Sequence, residues 1–362
     1  MTNQALLDEL TAMTCDLVAM PSTADKPDQL RATIDYAEGY MRDIPGLYLH
    51  RGEYKEKPYL IATLHQTKTP TIMLNAHLDV VPGYAEQFHP RIENGRIYGR
   101  ATQDMKGSGA VLLRLLKDLA ALPSPPNVGF MFVTDEEIGG EDGTGYLLRQ
   151  GWRCEFFLAA EPTDLEICYS HKGPLWVEVH LDGEPAHGSR PWDGTNAIVT
   201  MREGLVALEQ RYPTPREAVW RTTAVPTVIN GGDANNRLPK HLALTLDVRR
   251  VPEEPLEDVM ESLKSCFPAG DVRLIASGPP LATDPQDATV QKLAQVITAV
   301  TGQKAGFFQE HFATDARFYS DVGIPSVCVG PIGAGLHSDN EWVEIASLGT
   351  LYDILWQFTN AC

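Results

Sequence analysis

The chain lacks any basic surplus. Its 362 residues hold 30 Lys and Arg against 48 Asp and Glu, a formal charge of −18. Nucleic acids and anionic membrane surfaces both require a basic footprint, so neither is an expected partner. A small anionic substrate stays open, because a few local Arg residues can serve one. There is no C-x-x-C pair either. Cys15, Cys154, Cys168, Cys266, Cys328 and Cys362 are scattered. In a chain of this length that pattern reads as reduced thiols, mostly filling core space. No run of eighteen apolar residues occurs, and the opening MTNQALLDELTAM carries acids with no basic segment ahead of a long apolar one. The pattern speaks against a membrane span and a secretory leader. A soluble, cytoplasmic protein is expected. Internal repeats and low-complexity tracts are also missing.

What is present suffices for two cores. The apolar fraction is 43%, and the length favours two domains. Helical spacing marks Asn3–Met20 and Pro27–Met41, and short strands are expected near Tyr48–Arg51 and Tyr59–Leu64. The apolar run Thr71–Val81 reads as a buried strand. Glu93-Asn94-Gly95-Arg96 reads as a hairpin tip. Helices at Gly109–Leu122 and about Gly145–Gln150 then alternate with strands at Val128–Thr134 and Phe156–Ala160. This alternation predicts an α/β layer with a partly parallel sheet. After His171 the order becomes β-α-β-β-α-β: strand Leu175–Leu181, helix Asn196–Gln210, strands Ala224–Ile229 and His241–Val248, helix Glu254–Cys266 and strand Asp271–Ala276. That is a ferredoxin-like split unit. From about Leu281 the α/β texture returns, with helices at Thr289–Thr301 and Thr314–Val322, a strand at Ser326–Gly330 and a terminal helix to Phe358. The expected boundaries are residues 1–172 with 281–362 for a discontinuous larger domain, and 173–280 for a smaller one inserted in it.

Chemistry-bearing residues fall where these strands end. His77 and Asp79 stand two apart, so on extended backbone they share a face. The carboxylate can orient the imidazole on its second nitrogen or from the shell behind. Asp104 precedes a Gly-flanked helix. Glu136 and Glu137 follow the strand ending at Thr134, Glu161 follows Ala160, and His337 follows Gly333-Ala334-Gly335. In open α/β sheets, functional groups collect beyond the carboxyl ends of the strands. Imidazole and carboxylate donors without thiolate suit Zn²⁺, Co²⁺ or Mn²⁺. Two His and three carboxylates are enough for two metals about 3.5–4 Å apart sharing one carboxylate, the usual hydrolytic clamp around a reactive bridging water. Glu136 and Glu137 are adjacent on a segment read as extended, where neighbours point to opposite sides, so that one can bind metal while the other faces the water.

Five blocks together carry a resemblance: Asn75-Ala76-His77-Leu78-Asp79-Val80-Val81-Pro82, Gly99-Arg100-Ala101-Thr102-Gln103-Asp104-Met105-Lys106-Gly107, Thr134-Asp135-Glu136-Glu137-Ile138-Gly139, Ala160-Glu161-Pro162-Thr163 and His337-Ser338-Asp339-Asn340-Glu341-Trp342-Val343. The chain resembles the dinuclear zinc aminoacylase/carboxypeptidase family, which includes acetylornithine deacetylase, succinyl-diaminopimelate desuccinylase and glutamate carboxypeptidase. The resemblance implies a three-layer α/β/α zinc-hydrolase domain with an inserted ferredoxin-like lid and dimerisation domain. It implies that His77 and His337 each bind one metal, that Asp104 bridges, that Glu137 completes the His337 site and that Glu161 completes the His77 site. Asp79 would orient His77, and Glu136 would be the general base. Glu rather than Asp at 161 leans towards acyl or C-terminal chemistry.

The block Pro185–Pro191 resembles a segment whose His reaches a partner's active site across a homodimer. His187 would there donate to the developing oxyanion, a role that can contribute several kcal/mol. Asn236, in Asn-x-x-Pro, matches a lid loop touching substrate, and Arg249 matches an Arg that pairs with a substrate carboxylate. Arg190 and Thr314 complete the substrate-side candidates. Two departures stand out. Ala101 replaces the second Gly of a common Gly-Arg-Gly, and His311–Arg317 replaces a Gly-Gly-Thr-type substrate loop, so specificity does not carry over. His50, His65, His89, His171, His180, His241 and His311 have no ligand context, and Trp192 and Tyr98 read as packing residues.

The expected activity is metal-dependent cleavage of the amide of an N-acyl-amino acid or short peptide, through a metal-bridging hydroxide and Glu136. A dipeptidase or carboxypeptidase of the same family is the alternative. A non-catalytic scaffold relative is disfavoured, because all seven ligand, orienting and base positions hold competent residues.

Overall fold

The computed structural model describes residues 4–362. Asn3, where the first helix was expected to begin, lies outside the described residues; the helix runs Gln4–Val18. Contacts divide the chain into two compact units, Met1–Ser170 with Leu281–Phe308 and Thr314–Cys362, and His171–Pro280 with Gln309–Ala313.

The first unit is built on a mixed sheet. Its order is Tyr48–Tyr54, Lys57–Thr63, Val128–Val133, Ile72–His77, Phe156–Ala159, Ser326–Cys328, Ile167–His171 and Leu281–Ala282, with Phe307–Glu310 also pairing Ile167–His171. The four strands from Val128–Val133 to Ser326–Cys328 are mutually parallel neighbours. Alternation along each strand splits its side chains between two cores. Ile72, Leu74, Ala76, Phe130 and Phe132 pack with the helices Gln4–Val18, Pro27–Met41, Gly107–Ala120, Ala288–Thr301 and Ile345–Ala361. Met73, Met131, Val133, Phe157 and Ala159 face the other way, towards Leu147 and Leu148 of helix Thr144–Arg149 and Phe318 and Tyr319 of helix Ala316–Asp321. The result is the three-layer α/β/α arrangement.

Local signals set the helix ends. Asp287 accepts from the N–H groups of Thr289 and Val290 and so caps Ala288–Thr301, which stops at Gly302 with φ +71°. Pro27 opens its helix at a position where no N–H is needed.

Several short strands have no sequence periodicity to announce them. Gly333–Ala334, Trp342–Glu344, Arg96–Tyr98 and Arg91–Glu93 form a separate four-stranded sheet. Of these, the sequence marked only the Asn94-Gly95 tip, and both of its residues take positive φ.

The second unit is a four-stranded antiparallel sheet in the order Thr223–Gly231, His241–Arg250, Gly173–Asp182, Asp271–Ser277. That order, with helices Ala197–Arg211 and Leu256–Cys266 between the strands, is the ferredoxin-like split. One expectation fails here: Trp192 is 76% exposed and packs on no core. It sits in the short turn Pro191–Asp193, too short to bury an indole.

Gly204 lies where helix Ala197–Arg211 presses on the buried ring of Phe267; a β-carbon there would overlap the ring. Alanine gains about 1 kcal/mol in helix propensity over glycine, whereas overpacking a filled core costs about 1–3 kcal/mol. Gly204→Ala should therefore lower stability in urea titrations. A gain in the midpoint would show that the contact is slack.

Candidate metal centre

Four parallel strands deliver the site from their carboxyl ends. Ile72–His77 ends on His77 itself. Val128–Val133 leads to Asp135, Glu136 and Glu137, Phe156–Ala159 to Glu161, and Ser326–Cys328 into the segment bearing His337. Asp104 lies in the tight turn Thr102–Lys106 ahead of helix Gly107–Ala120, and its peptide bond to Met105 is cis.

Asp104 is the meeting point. One carboxylate oxygen lies 3.0 Å from His77 Nε2 and the other 3.1 Å from His337 Nε2. His337 Nε2 is also 3.2 Å from Glu137 Oε2, and His77 Nε2 is 3.9 Å from Glu161 Oε2. Two donor triplets result, His77–Asp104–Glu161 and Asp104–Glu137–His337, each with its atoms within 4.8 Å and each able to hold one ion. His77, Asp104 and Glu161 are buried, while His337 is half exposed.

The charges are poorly balanced by protein groups alone. Burial pushes the Glu161 and Glu136 carboxyls well above the usual range, and Glu137 is raised for the same first reason. Burial also opposes charge on His77 and Asp104, but hydrogen bonding between them wins. It raises the His77 imidazole well above its ordinary value and, together with the His337 bond, holds Asp104 below its own. His337 is pushed up to about 10 by Asp104 and Glu137. Glu161 Oε1 is buried without a hydrogen-bond partner. A buried carboxylate oxygen with no donor suits a cation, so the donor set fits a pair of divalent ions.

The support is backbone-based. His77 Nδ1 donates to the carbonyl of Asp79 at 3.0 Å, which turns Nε2 towards the cluster. The Asp79 carboxylate lies 3.5 Å from the same nitrogen. It accepts instead from the N–H groups of Glu136 and Glu137, at 3.2 and 3.0 Å. Those two glutamates occupy a 3-10 turn, Glu136–Ile138. The premise that they lie on extended backbone and point to opposite sides is therefore overturned, because the strand stops at Val133 and Asp79 draws the next amides into a turn.

Sequence reasoning assigned no role to Glu341 or Arg100. Buried Glu341 accepts from Arg100 Nη1 and Ala101 N, both at 2.9 Å, through one oxygen. Its other oxygen accepts from Gln103 N at 3.0 Å and Asp104 N at 3.2 Å. Arg100 also donates to the His337 carbonyl at 3.3 Å. One carboxylate thus fastens the Asp104 turn to the segment carrying His337. The available signal was an acid four residues beyond a ligand-type His.

Thr314 belongs to the same unit and is buried, its hydroxyl 3.3 Å from Cys328 Sγ. The remaining candidates belong to the second unit. His187 is exposed; its Nδ1 accepts from Ser189 N at 3.2 Å and lies 2.7 Å from the Ser189 hydroxyl. That places the ring proton on Nε2. Arg190 is exposed one residue beyond, its N–H on the His187 carbonyl. The carbonyl of exposed Asn236 accepts from Gly188 N at 2.7 Å. Arg249 is partly engaged: its Nε and Nη2 donate to Asp247 at 2.7 and 3.0 Å.

The sequence model of Peptidase family M20/M25/M40 matches residues 73–361. Acetylornithine deacetylase from Proteus mirabilis is 27% identical over 84% of this chain and 82% of its own length. Succinyl-diaminopimelate desuccinylase from Leptothrix cholodnii is 30% identical over 79% of this chain and 80% of its own. The crystal structure of aminopeptidase PepT from Bacillus cereus superimposes with a TM-score of 0.81 at 20% identity, covering 97% of each chain.

Loss of a group that orients metal ligands typically weakens metal binding about 10- to 100-fold. Glu341→Gln should show such a loss for Zn²⁺ by competition with a chromophoric chelator. Glu341→Ala, which strands buried Arg100, should in addition cost about 3–5 kcal/mol in urea unfolding. Parent-like zinc affinity in both variants would remove Glu341 from the site's support.

Proposed function

Because the chain belongs to peptidase family M20/M25/M40 and is a metallo-amidohydrolase, we propose that it cleaves the amide of an N-acyl-amino acid bearing a free α-carboxylate. The observation that carries this reading is the Asp104 carboxylate held between His77 and His337, with Glu161 and Glu137 closing the two triplets. In this reading His77, Asp104 and Glu161 hold one ion, and His337, Asp104 and Glu137 the other. Zinc is the first choice for this N/O donor set, with cobalt or manganese as alternatives. Bound there, the pair supplies Lewis acidity to the scissile carbonyl and makes water acidic.

The protein's own groups do the rest. Glu136 takes a proton from the attacking water and returns it to the leaving amine. Burial raises its carboxyl well above the usual range, the direction such a proton carrier needs near neutrality. Asp79 fixes the turn that aims it. His187, with its proton on Nε2, is the donor to the oxyanion. Arg249, Asn236, Arg190 and Thr314 contact the rest of the substrate.

We further propose a cytoplasmic homodimer formed through the second unit. The strand Thr223–Gly231 is an edge strand exposing Val225, Val228 and Ile229, and helix Ala197–Arg211 exposes Ile198, Val199 and Val206. A second copy would cover both. No described helix is long and apolar enough to cross a membrane.

Glu136→Gln should keep its metal content while kcat falls by about 10²–10⁴-fold. Parent-like turnover would end the general-base assignment. Co-expression tests the trans role of His187. In a mixed dimer of Glu136→Gln and His187→Ala, one site regains both groups if His187 acts across the interface, so activity should return from two inactive variants. No recovery in isolated mixed dimers would place His187 in cis or outside catalysis. Acetyl-ornithine, acetyl-citrulline, acetyl-lysine, succinyl-diaminopimelate and dipeptides, each assayed with zinc and with cobalt, separate a deacylase from a dipeptidase. Chelation should abolish whichever activity is found.

A further inference from the structure

The second unit carries two histidines that take no part in amide hydrolysis. Its strand Gly173–Asp182 turns Leu175, Val177, Val179 and Leu181 into the core. Glu178, His180 and Asp182 therefore share the opposite face. On the neighbouring strand His241 stands across from Asp182, and small Ala243 across from His180. The two imidazoles are diagonal neighbours, with ring centroids 5.5 Å apart and planes 25° from parallel.

Their nitrogens are engaged in a telling order. His180 Nε2 lies 3.0 Å from Glu178 Oε2, and His241 Nδ1 lies 3.0 Å from Asp182 Oδ1. An ionised carboxylate only accepts, so both of these ring nitrogens carry the proton and donate. His180 Nδ1 and His241 Nε2 are left as bare lone pairs, and they face each other at 3.4 Å. Two lone pairs so placed repel unless a proton or a metal ion lies between them. Imidazole nitrogens about 2.0–2.1 Å from a tetrahedral ion stand about 3.3 Å apart, close to the spacing found. Ligating histidines characteristically donate their second N–H to a carboxylate, and here both do.

We propose that His180 and His241 form a binding site for one borderline divalent ion, Zn²⁺ or Cu²⁺, with Glu178 and Asp182 setting the tautomer of each ring. Water completes the coordination. The surrounding charge favours a cation: besides Glu178 and Asp182, Asp271 stands across from His180 on the other flanking strand, where it pairs with Arg273. The ion would tie together the two central strands of the sheet, Gly173–Asp182 and His241–Arg250. The site shares no residue with the hydrolytic centre.

Equilibrium dialysis of the full chain against Zn²⁺, with metal counted per chain, tests this. The parent should retain one ion more than the double variant His180→Asn/His241→Asn, whatever number the hydrolytic centre holds. Failure of the hydrolytic reading would change both totals and leave that difference intact. With Cu²⁺, electron paramagnetic resonance should show a two-imidazole signal in the parent that the variant lacks. His241→Asn alone, at the more exposed ring, repeats the comparison if the double variant folds poorly. Amide hydrolysis should be unchanged in both variants. Equal zinc counts in parent and variants, or a copper signal that survives both substitutions, would overturn the proposal.

Discussion

Everything in the first unit converges on one carboxylate that two imidazoles share. Asp104 meets His77 from 27 residues before it and His337 from 233 residues after it. Around it stand Glu136, Glu137 and Glu161. Four carboxylates crowded into a poorly solvated pocket are costly unless protonated, paired or bound to cations. The directions of the proton affinities follow this rule: acids other than Asp104 are driven up by burial, and the imidazoles beside Asp104 are driven up with them. The pocket is short of positive charge. Two divalent ions carry four positive charges, enough to offset Asp104, Glu136, Glu137 and Glu161. Hydrolytic chemistry and charge balance therefore ask for the same thing, and the fold can hold the acids together because that demand can be met.

Much of this was legible because the donors sit at the ends of strands, and strands are what apolar runs reveal. His77, Glu137 and Glu161 follow three such runs directly. His337 does not. Its segment is positioned by strands two or three residues long, Gly333–Ala334 and Trp342–Glu344, which pair back to Arg96–Tyr98. No periodicity can appear over so few residues, so only the preceding Gly333-Ala334-Gly335 turn and the family resemblance pointed to it. The Glu136–Glu137 geometry was misread for a related reason. Alternation holds only while the backbone stays extended, and the Asp79 carboxylate, distant in sequence, ends the extension by taking both amides. Long-range capping of this kind leaves no local trace. Trp192 shows the reverse error, since an aromatic residue need not be buried if its turn offers no core.

Ala101 illustrates how a departure from a family pattern is absorbed. Its φ of +66° lies in the left-handed region where glycine is at ease and alanine costs about 1–2 kcal/mol. Its methyl group, however, is fully buried in a small cluster with Val80 and Phe88, and burying one such carbon returns about 0.8 kcal/mol. Its N–H is held by Glu341. The conformation is therefore imposed by the clamp on the Asp104 turn, and the side chain recovers part of the strain. His337 also takes positive φ, +58°, and the Arg100 donation to its carbonyl ties it to the same clamp. Two strained residues flank the shared carboxylate, and one buried ion pair, Arg100–Glu341, holds both.

The same contrast explains why the chemistry is easier to assign than the substrate. The metal-type donors rest on hydrogen bonds to backbone amides and carbonyls within a single sheet-based unit. The substrate-side candidates in the second unit are held by short local contacts instead: His187 by Ser189, Gly188 by Asn236, Arg249 by Asp247. Arg249 is the instructive case. A substrate carboxylate approaching its Nε/Nη2 edge would have to displace Asp247, an intramolecular carboxylate already bound through those two nitrogens. That exchange trades one charge-assisted pair for another, so it adds little affinity by itself. What it adds is discrimination. A ligand that lacks a well-placed carboxylate has nothing to offer the guanidinium, and Asp247 keeps it. On the proposed substrate role of Arg249, selectivity would rest on Asp247 as much as on the Arg itself.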